Sequence, residues 1–199
     1  MNKLAALNTP IFWAEGHPGS LNRETWKIEV CGSCNKPQIF SWSDLMELPQ
    51  RDVKGRLTSV TRWSVEGIWK GIPLSEILKT VQSNDSCKYL RFWSFGGIYD
   101  TSIPIDIAFK EKSLLAHSFE GELLTEDYGG PIRAFIPYLW GYKSAKSVVK
   151  IELMDYYVSG FWENRGYTDS GEIEAGPCRD LNDGGKIKTI PSGEVLKFN

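Results

Sequence analysis

Short apolar runs, some with the period of a strand and some with that of a helix, constrain the fold of this chain more than any other feature. Trp26, Ile28 and Val30 alternate with Lys27 and Glu29, which predicts a half-buried strand. Ser41 to Leu48 opens with helix-capping residues and carries Leu45 and Leu48 at helical spacing before Pro49 stops it, which predicts a short helix. Leu74, Ile77, Leu78 and Val81 follow Pro73 as the apolar stripe of an amphipathic helix. Two strands are predicted over residues 88–93 and 97–103 around Gly96-Gly97, a short helix from about Asp106, and further strands over 114–119 and 148–154. Strand and helix do not alternate regularly. The fold class expected is therefore α+β with mixed β-sheets and short helices, not a doubly wound sheet.

With 199 residues and 41% hydrophobic content, the chain can bury one substantial core. Residues 1–24 are rich in Pro, Gly and Asn and predict an extended arm over a domain of residues 25–168. From residue 169 to 199 periodicity is lost, which predicts a loop-rich tail. A formal net charge of -2 gives no electrostatic basis for binding nucleic acid or an anionic membrane. No apolar run reaches the ~18 residues of a membrane span, and the start lacks a signal-peptide core, so a cytoplasmic protein is the expectation. Cys31 and Cys34 form a C-x-x-C without a convincing second half; structural or incidental cysteines are the simpler reading beside a zinc or dithiol site.

The densest stretch is Thr58–Leu74, TSVTRWSVEGIWKGIPL, with two tryptophans and a Gly-Ile-Pro stop. Its Ser59 is no nucleophile elbow, because Thr58-Ser59-Val60 lacks the flanking glycines and no His/Asp partner is apparent. In order along the chain come Val60-Thr-Arg-Trp-Ser64, Trp69-x-Gly71-Ile-Pro-Leu74, Gly129-Gly-Pro-Ile-Arg133, Lys143-Ser-Ala-Lys146 and Gly160-Phe-Trp-Glu163. Together, from about Trp26 to Tyr167, these resemble the molybdopterin-binding catalytic domain of the sulfite oxidase family, and most closely its small bacterial oxidoreductases.

The resemblance implies a mixed-sheet fold around a molybdenum–molybdopterin cofactor and redox chemistry on sulfoxides, sulfite or related small oxo-compounds. It implies cofactor-binding roles for Arg133, Lys143, Ser144 and Lys146, with Ser94 near a cofactor-touching threonine; guanidinium forks and lysine point charges suit anionic oxygens. Arg62, Tyr128, Lys143 and Ser59 are the catalytic candidates. The family ligates molybdenum through a cysteine thiolate where this chain has Ser59, and a hydroxyl is a harder donor that ionises only with help from a metal. Tyr128 replaces an Asn or His, and Thr168 a His. Two readings therefore stand: a molybdopterin oxidoreductase with altered ligation at Ser59, served by a separate electron-transfer partner, or a repurposed domain without the metal. The second would bind a small molecule in an aromatic, basic cleft lined by Trp63, Trp93, Tyr99, Tyr128 and Trp140, with acid–base work falling to Tyr128, Lys143 or His17.

Overall fold

The computed structural model describes residues 2–198. In chain order its elements are α1 (Lys3–Ala6), β1 (Lys27–Gly32), β2 (Gln38–Ser41), α2 (Trp42–Glu47), β3 (Arg51–Thr58), β4 (Trp63–Pro73), α3 (Leu74–Thr80) and β5 (Tyr89–Ser94). They continue with β6 (Asp100–Pro104), α4 (Ile105–Phe109), β7 (Leu114–Phe119), β8 (Glu122–Leu123), β9 (Arg133–Phe135), β10 (Val148–Met154), β11 (Gly176–Asp180) and β12 (Lys186–Ile190). No helix among the described residues is long and apolar enough to cross a membrane.

Two sheets form. One has five strands in the order β2-β1-β10-β5-β6, with β1 and β10 parallel and its other pairs antiparallel. The other has seven: β12-β11-β4-β7-β8, with β3 on β4 and β9 on β7. The first sheet and helices α3 and α4 share one core, in which Ile28, Val30, Ile77, Leu78, Phe92 and Ile151 are packed. Trp69, Phe119 and Phe135 centre a second, where Trp69 stacks on Phe135 at 4.4 Å between ring centroids. Ile72 therefore seats α3 on the first core, whereas Trp69 belongs to the second.

Local chemistry explains the short helices. Ser41 and Asp44 form a reciprocal capping box at the start of α2. Pro73 precedes α3, where its missing N–H costs nothing.

The Thr58–Leu74 stretch is the tip and second arm of a β-hairpin. Residues 51–58 of β3 pair with residues 64–71 of β4, and the turn between is closed by Ser59 N donating to Trp63 O (2.8 Å) and Arg62 N donating to Ser59 O (2.9 Å). Arg62 holds a φ of 63°, a left-handed conformation that completes the turn. Two glycines let β4 pack closely: a Cβ on Gly67 would meet the Phe119 ring at 2.3 Å, and one on Gly71 would meet Leu115 O at 2.1 Å beside an irregularity in the β4–β7 register.

The loop-rich tail expected from the sequence is corrected in part. Residues 176–180 and 186–190 form an antiparallel pair, and β11 adds to β4 in parallel at Trp63 and Ser64. The tail carries its own buried residues, Ile173, Cys178, Ile190 and Val195, packed with Trp140 and Tyr142. Charged and polar residues on the outer face of this ribbon hide its strand period.

Candidate functional site

A cavity of about 430 Å³ opens where the two sheets meet. The β3–β4 hairpin tip supplies Ser59, Val60 and Thr61 to its wall; β4 supplies Trp69, β5 Ser94 and β9 Arg133. Tyr142, Ser144 and Lys146 come from the loop before β10, and Trp162 and Tyr167 from the loop after it. Residues 9–15 of the arm form the remaining wall.

Arg133 is 4% exposed, and its guanidinium donates only to backbone carbonyls: Nη1 to Tyr128 O at 2.9 Å, Nη2 to Ser144 O at 3.1 Å, and Nε to Ala134 O at 3.3 Å. Five N–H groups minus three bonds leaves two donors unused. Burial lowers its pKa to about 10. Lys146 Nζ likewise meets carbonyls alone, Phe12 O at 2.9 Å and Asp127 O at 3.0 Å, and lies 4.6 Å from the Trp13 ring centroid. Burial and then the Arg133 charge lower its pKa to about 7, against a smaller opposing pull from Asp127. Among the described residues neither cation has a carboxylate at ion-pair distance. Buried charges are normally paired, and the lack of a carboxylate partner leaves Arg133 and Lys146 able to take an anion between them.

Further atoms await partners in the same wall. The indole Nε1 of Trp13 and Trp69, Thr9 Oγ1 and Glu15 Oε1 are buried without a hydrogen bond. Glu15 Oε2 accepts from Ile98 N and Tyr99 N, both at 3.1 Å, and so ties the arm to the β5–β6 turn. The cavity thus offers two indole donors, a hydroxyl and one carboxylate acceptor over a wide aromatic surface.

Most candidates converge. Ser59 is half-buried, its Oγ 2.8 Å from Thr61 Oγ1 and accepting from Thr61 N at 3.2 Å. Ser94 Oγ donates to Lys146 O (2.8 Å), and Ser144 Oγ accepts from Ile136 N (3.0 Å), so both serines hold backbone that frames the cations. Tyr128 donates weakly to Thr9 O (3.4 Å), and burial raises its pKa.

Two candidates do not join them. The Lys143 ammonium is fully buried against Glu163 and does not reach the cavity, because the turn over Gly141–Lys143 sends it behind Tyr142. Arg62 turns outward: it donates to Glu174 O (3.1 Å) and lies 5.1 Å from the Trp140 ring centroid, held there by its left-handed backbone. Among the suggested aromatics, Trp63, Tyr99 and Tyr128 line the cavity. Trp93 instead faces Glu152 and Arg91, and Trp140 packs in the tail core. His17 pairs with Asp127 at 3.0 Å on the surface. Cys31 and Cys34 lie outside the cavity with thiols raised by burial, and no cluster of three or more His, Cys, Asp or Glu among the described residues could hold a metal ion.

The arm was the part of the site that residue patterns missed. Its Ile11-Phe12-Trp13 run, an apolar cluster between Pro10 and the polar residues after Ala14, was the available signal.

Residues 15–162 match the family described as the oxidoreductase molybdopterin binding domain. The chain belongs to this family. It is 28% identical to the uncharacterized oxidoreductase YuiH of Bacillus subtilis (strain 168) over 172 residues, 86% of each protein. It is 29% identical over 161 residues to the protein-methionine-sulfoxide reductase catalytic subunit MsrP of Ralstonia nicotianae, covering 73% of this chain and 49% of that one. The corresponding subunit of Burkholderia mallei is 30% identical over 72% of this chain and 48% of its own. The chain thus spans about half the length of these reductase subunits. Its fold is that of the sulfane dehydrogenase SoxCD from Paracoccus pantotrophus, with a TM-score of 0.67, 18% identity, and coverage of 87% of this chain and 46% of that one.

The residues present fit the cofactor the family implies. An anionic, phosphate-bearing heterocycle would find there two cations without a carboxylate partner and the unpartnered indole N–H groups of Trp13 and Trp69.

Proposed function

We propose that this chain is a molybdopterin-dependent oxidoreductase acting on a small oxo-compound, with Ser59 at the metal position. The observation that carries this is Arg133, buried beside Lys146 in the central cavity with no carboxylate at ion-pair distance. Arg133 and Lys146 would hold the cofactor's anionic groups, while Ser144 and Ser94 keep the backbone around them in place. When bound, the molybdenum centre supplies two-electron redox chemistry that no side chain here can perform. The arm and the Trp162–Tyr167 stack, whose rings are 5.1 Å apart, would narrow the access of water to a ligand in the cavity. Thr61 holds the Ser59 hydroxyl towards the cavity wall.

The substrate class follows the sulfoxide chemistry named for the MsrP subunits, and electrons would come from a separate partner. The test is molybdenum and pterin content of protein purified from a molybdenum-replete, cofactor-competent host. Near-stoichiometric loading is expected; no molybdenum and no extractable pterin would reject the reading.

One observation favours a second reading. The Ser59 hydroxyl is already satisfied by Thr61 within its own turn, so it needs no metal. A cofactor-free domain would then use the cavity for a carboxylate, a phosphate or a planar organic ligand. Wild-type protein that carries molybdenum and pterin as purified, and loses both on Arg133→Met, would exclude that alternative.

A further inference from the structure

Lys143 forms a fully buried ion pair outside the cavity wall. Its Nζ donates to Glu163 Oε1 (2.5 Å), Asp169 O (2.7 Å) and Ser102 O (3.0 Å), with Tyr157 Oη at 3.3 Å, and neither side chain of the ion pair is solvent-exposed. Thr101 Oγ1 donates to the same Glu163 oxygen at 2.7 Å. Gly171 is held against the Lys143 stem so closely that a Cβ there would come within 2.6 Å of it. One side chain thus joins strand β6, the loop after β10 and the start of the tail.

What it joins them to is the loop of residues 140–147. That loop presents Ser144 O to Arg133, Ser144 Oγ to Ile136 N, Ala145 O to Ala134 N, and Lys146 to the cavity. On its other side, among the described residues, the charged anchor is Lys143, one residue before Ser144, beside the neutral bonds of Trp140 N to Gly171 O and Tyr142 Oη to Thr168 O. Stability alone is a poor reason for such a pair, since an apolar pair of similar volume often does as well or better. Position is the better reason.

We infer that the Lys143–Glu163 ion pair is a positioning device: it clamps the 140–147 loop from behind, so that Arg133 and Lys146 are held at fixed places in the cavity. This deepens the reading of the cavity as an anion site and rests on it. Lys143 touches no ligand. It acts through Ser144 and Lys146.

The test uses full-length protein without bound ligand, so that it stands apart from molybdenum loading. The readout is the pH dependence of trace acetylation at Lys146, followed by peptide mass spectrometry. In the wild type the midpoint is expected near 7, because the amine is buried beside Arg133 under the arm with Asp127 the opposing charge. In the double variant Lys143→Met with Glu163→Gln, loss of the clamp releases the loop, and the midpoint should rise by about one pH unit or more. Glu163→Gln alone keeps the shape and a hydrogen bond, and should move the midpoint in the same direction by less. Leu45→Ala, in the core of the other sheet, should lower the melting temperature and leave the midpoint unmoved. An unchanged Lys146 midpoint in whichever clamp variant folds overturns the inference, as does an equal shift in Leu45→Ala.

Discussion

Arg133 shows at the scale of one residue what supports the proposal that the cavity takes a ligand. Holding a guanidinium to a pKa of about 10 instead of 12.5 costs the folded state about 3 kcal/mol. Its three carbonyl bonds return a similar amount, about 1 kcal/mol each. Arg133→Met in ligand-free protein should therefore change stability by only about 1–2 kcal/mol in a denaturant titration, while retention of the bound cofactor falls at least about tenfold. Lys146 adds a pH signature. Its folded-state pKa is depressed, so the amine loses its proton as pH rises through about 7, and attraction for an anion goes with it. Sulfate, which does not titrate in this range, should bind the ligand-free protein progressively more weakly between pH 6 and 9 by calorimetry. Lys146→Arg, charged throughout, should give a flat profile. Family resemblance named Arg133, Ser144, Lys146, Lys143 and Arg62 alike; the first three line the cavity and the last two lie away from it, because residue type says nothing of which side of a turn a charge leaves from.

Among the elements, those with one apolar face were legible. The stripe of Leu74, Ile77 and Leu78 and the alternation of Ile28 and Val30 mark α3 and β1, since each buries one side and wets the other. Strand β4 escaped because glycines at 67 and 71 interrupt its signal, and those glycines exist for packing that only the assembled sheet reveals. Gly71→Ala should accordingly cost about 1–3 kcal/mol, as a Cβ 2.1 Å from Leu115 O forces β4 and β7 apart. Thermal melting checks this, and an unchanged midpoint would contradict the register. The arm is an element of another kind: it has no period to find, and its place over the cavity depends on Glu15 and Phe12 meeting groups far along the chain.

Across the whole molecule, distant segments close the structure. The tail returns through β11 to pair with β4, and Asp180 there meets buried Arg56 of β3 at 3.3 Å while Lys188 holds its other oxygen at 2.9 Å. Asp180→Ala leaves Arg56 with only the Glu66 carboxylate at 3.6 Å, and should cost about 3 kcal/mol or more in a denaturant titration. The tail is thus part of the domain's stability, which its charged outer face concealed. The same closure places Ser94 of one sheet and Arg133 of the other around one cavity, with the hairpin tip at Ser59 on its wall. The most direct measurement is a crystal structure of protein from a cofactor-competent host, with anomalous data at the molybdenum edge. A peak beside Ser59 and pterin density reaching Arg133 and Lys146 is the expected result; a cavity holding only solvent or an unrelated ligand would contradict the account.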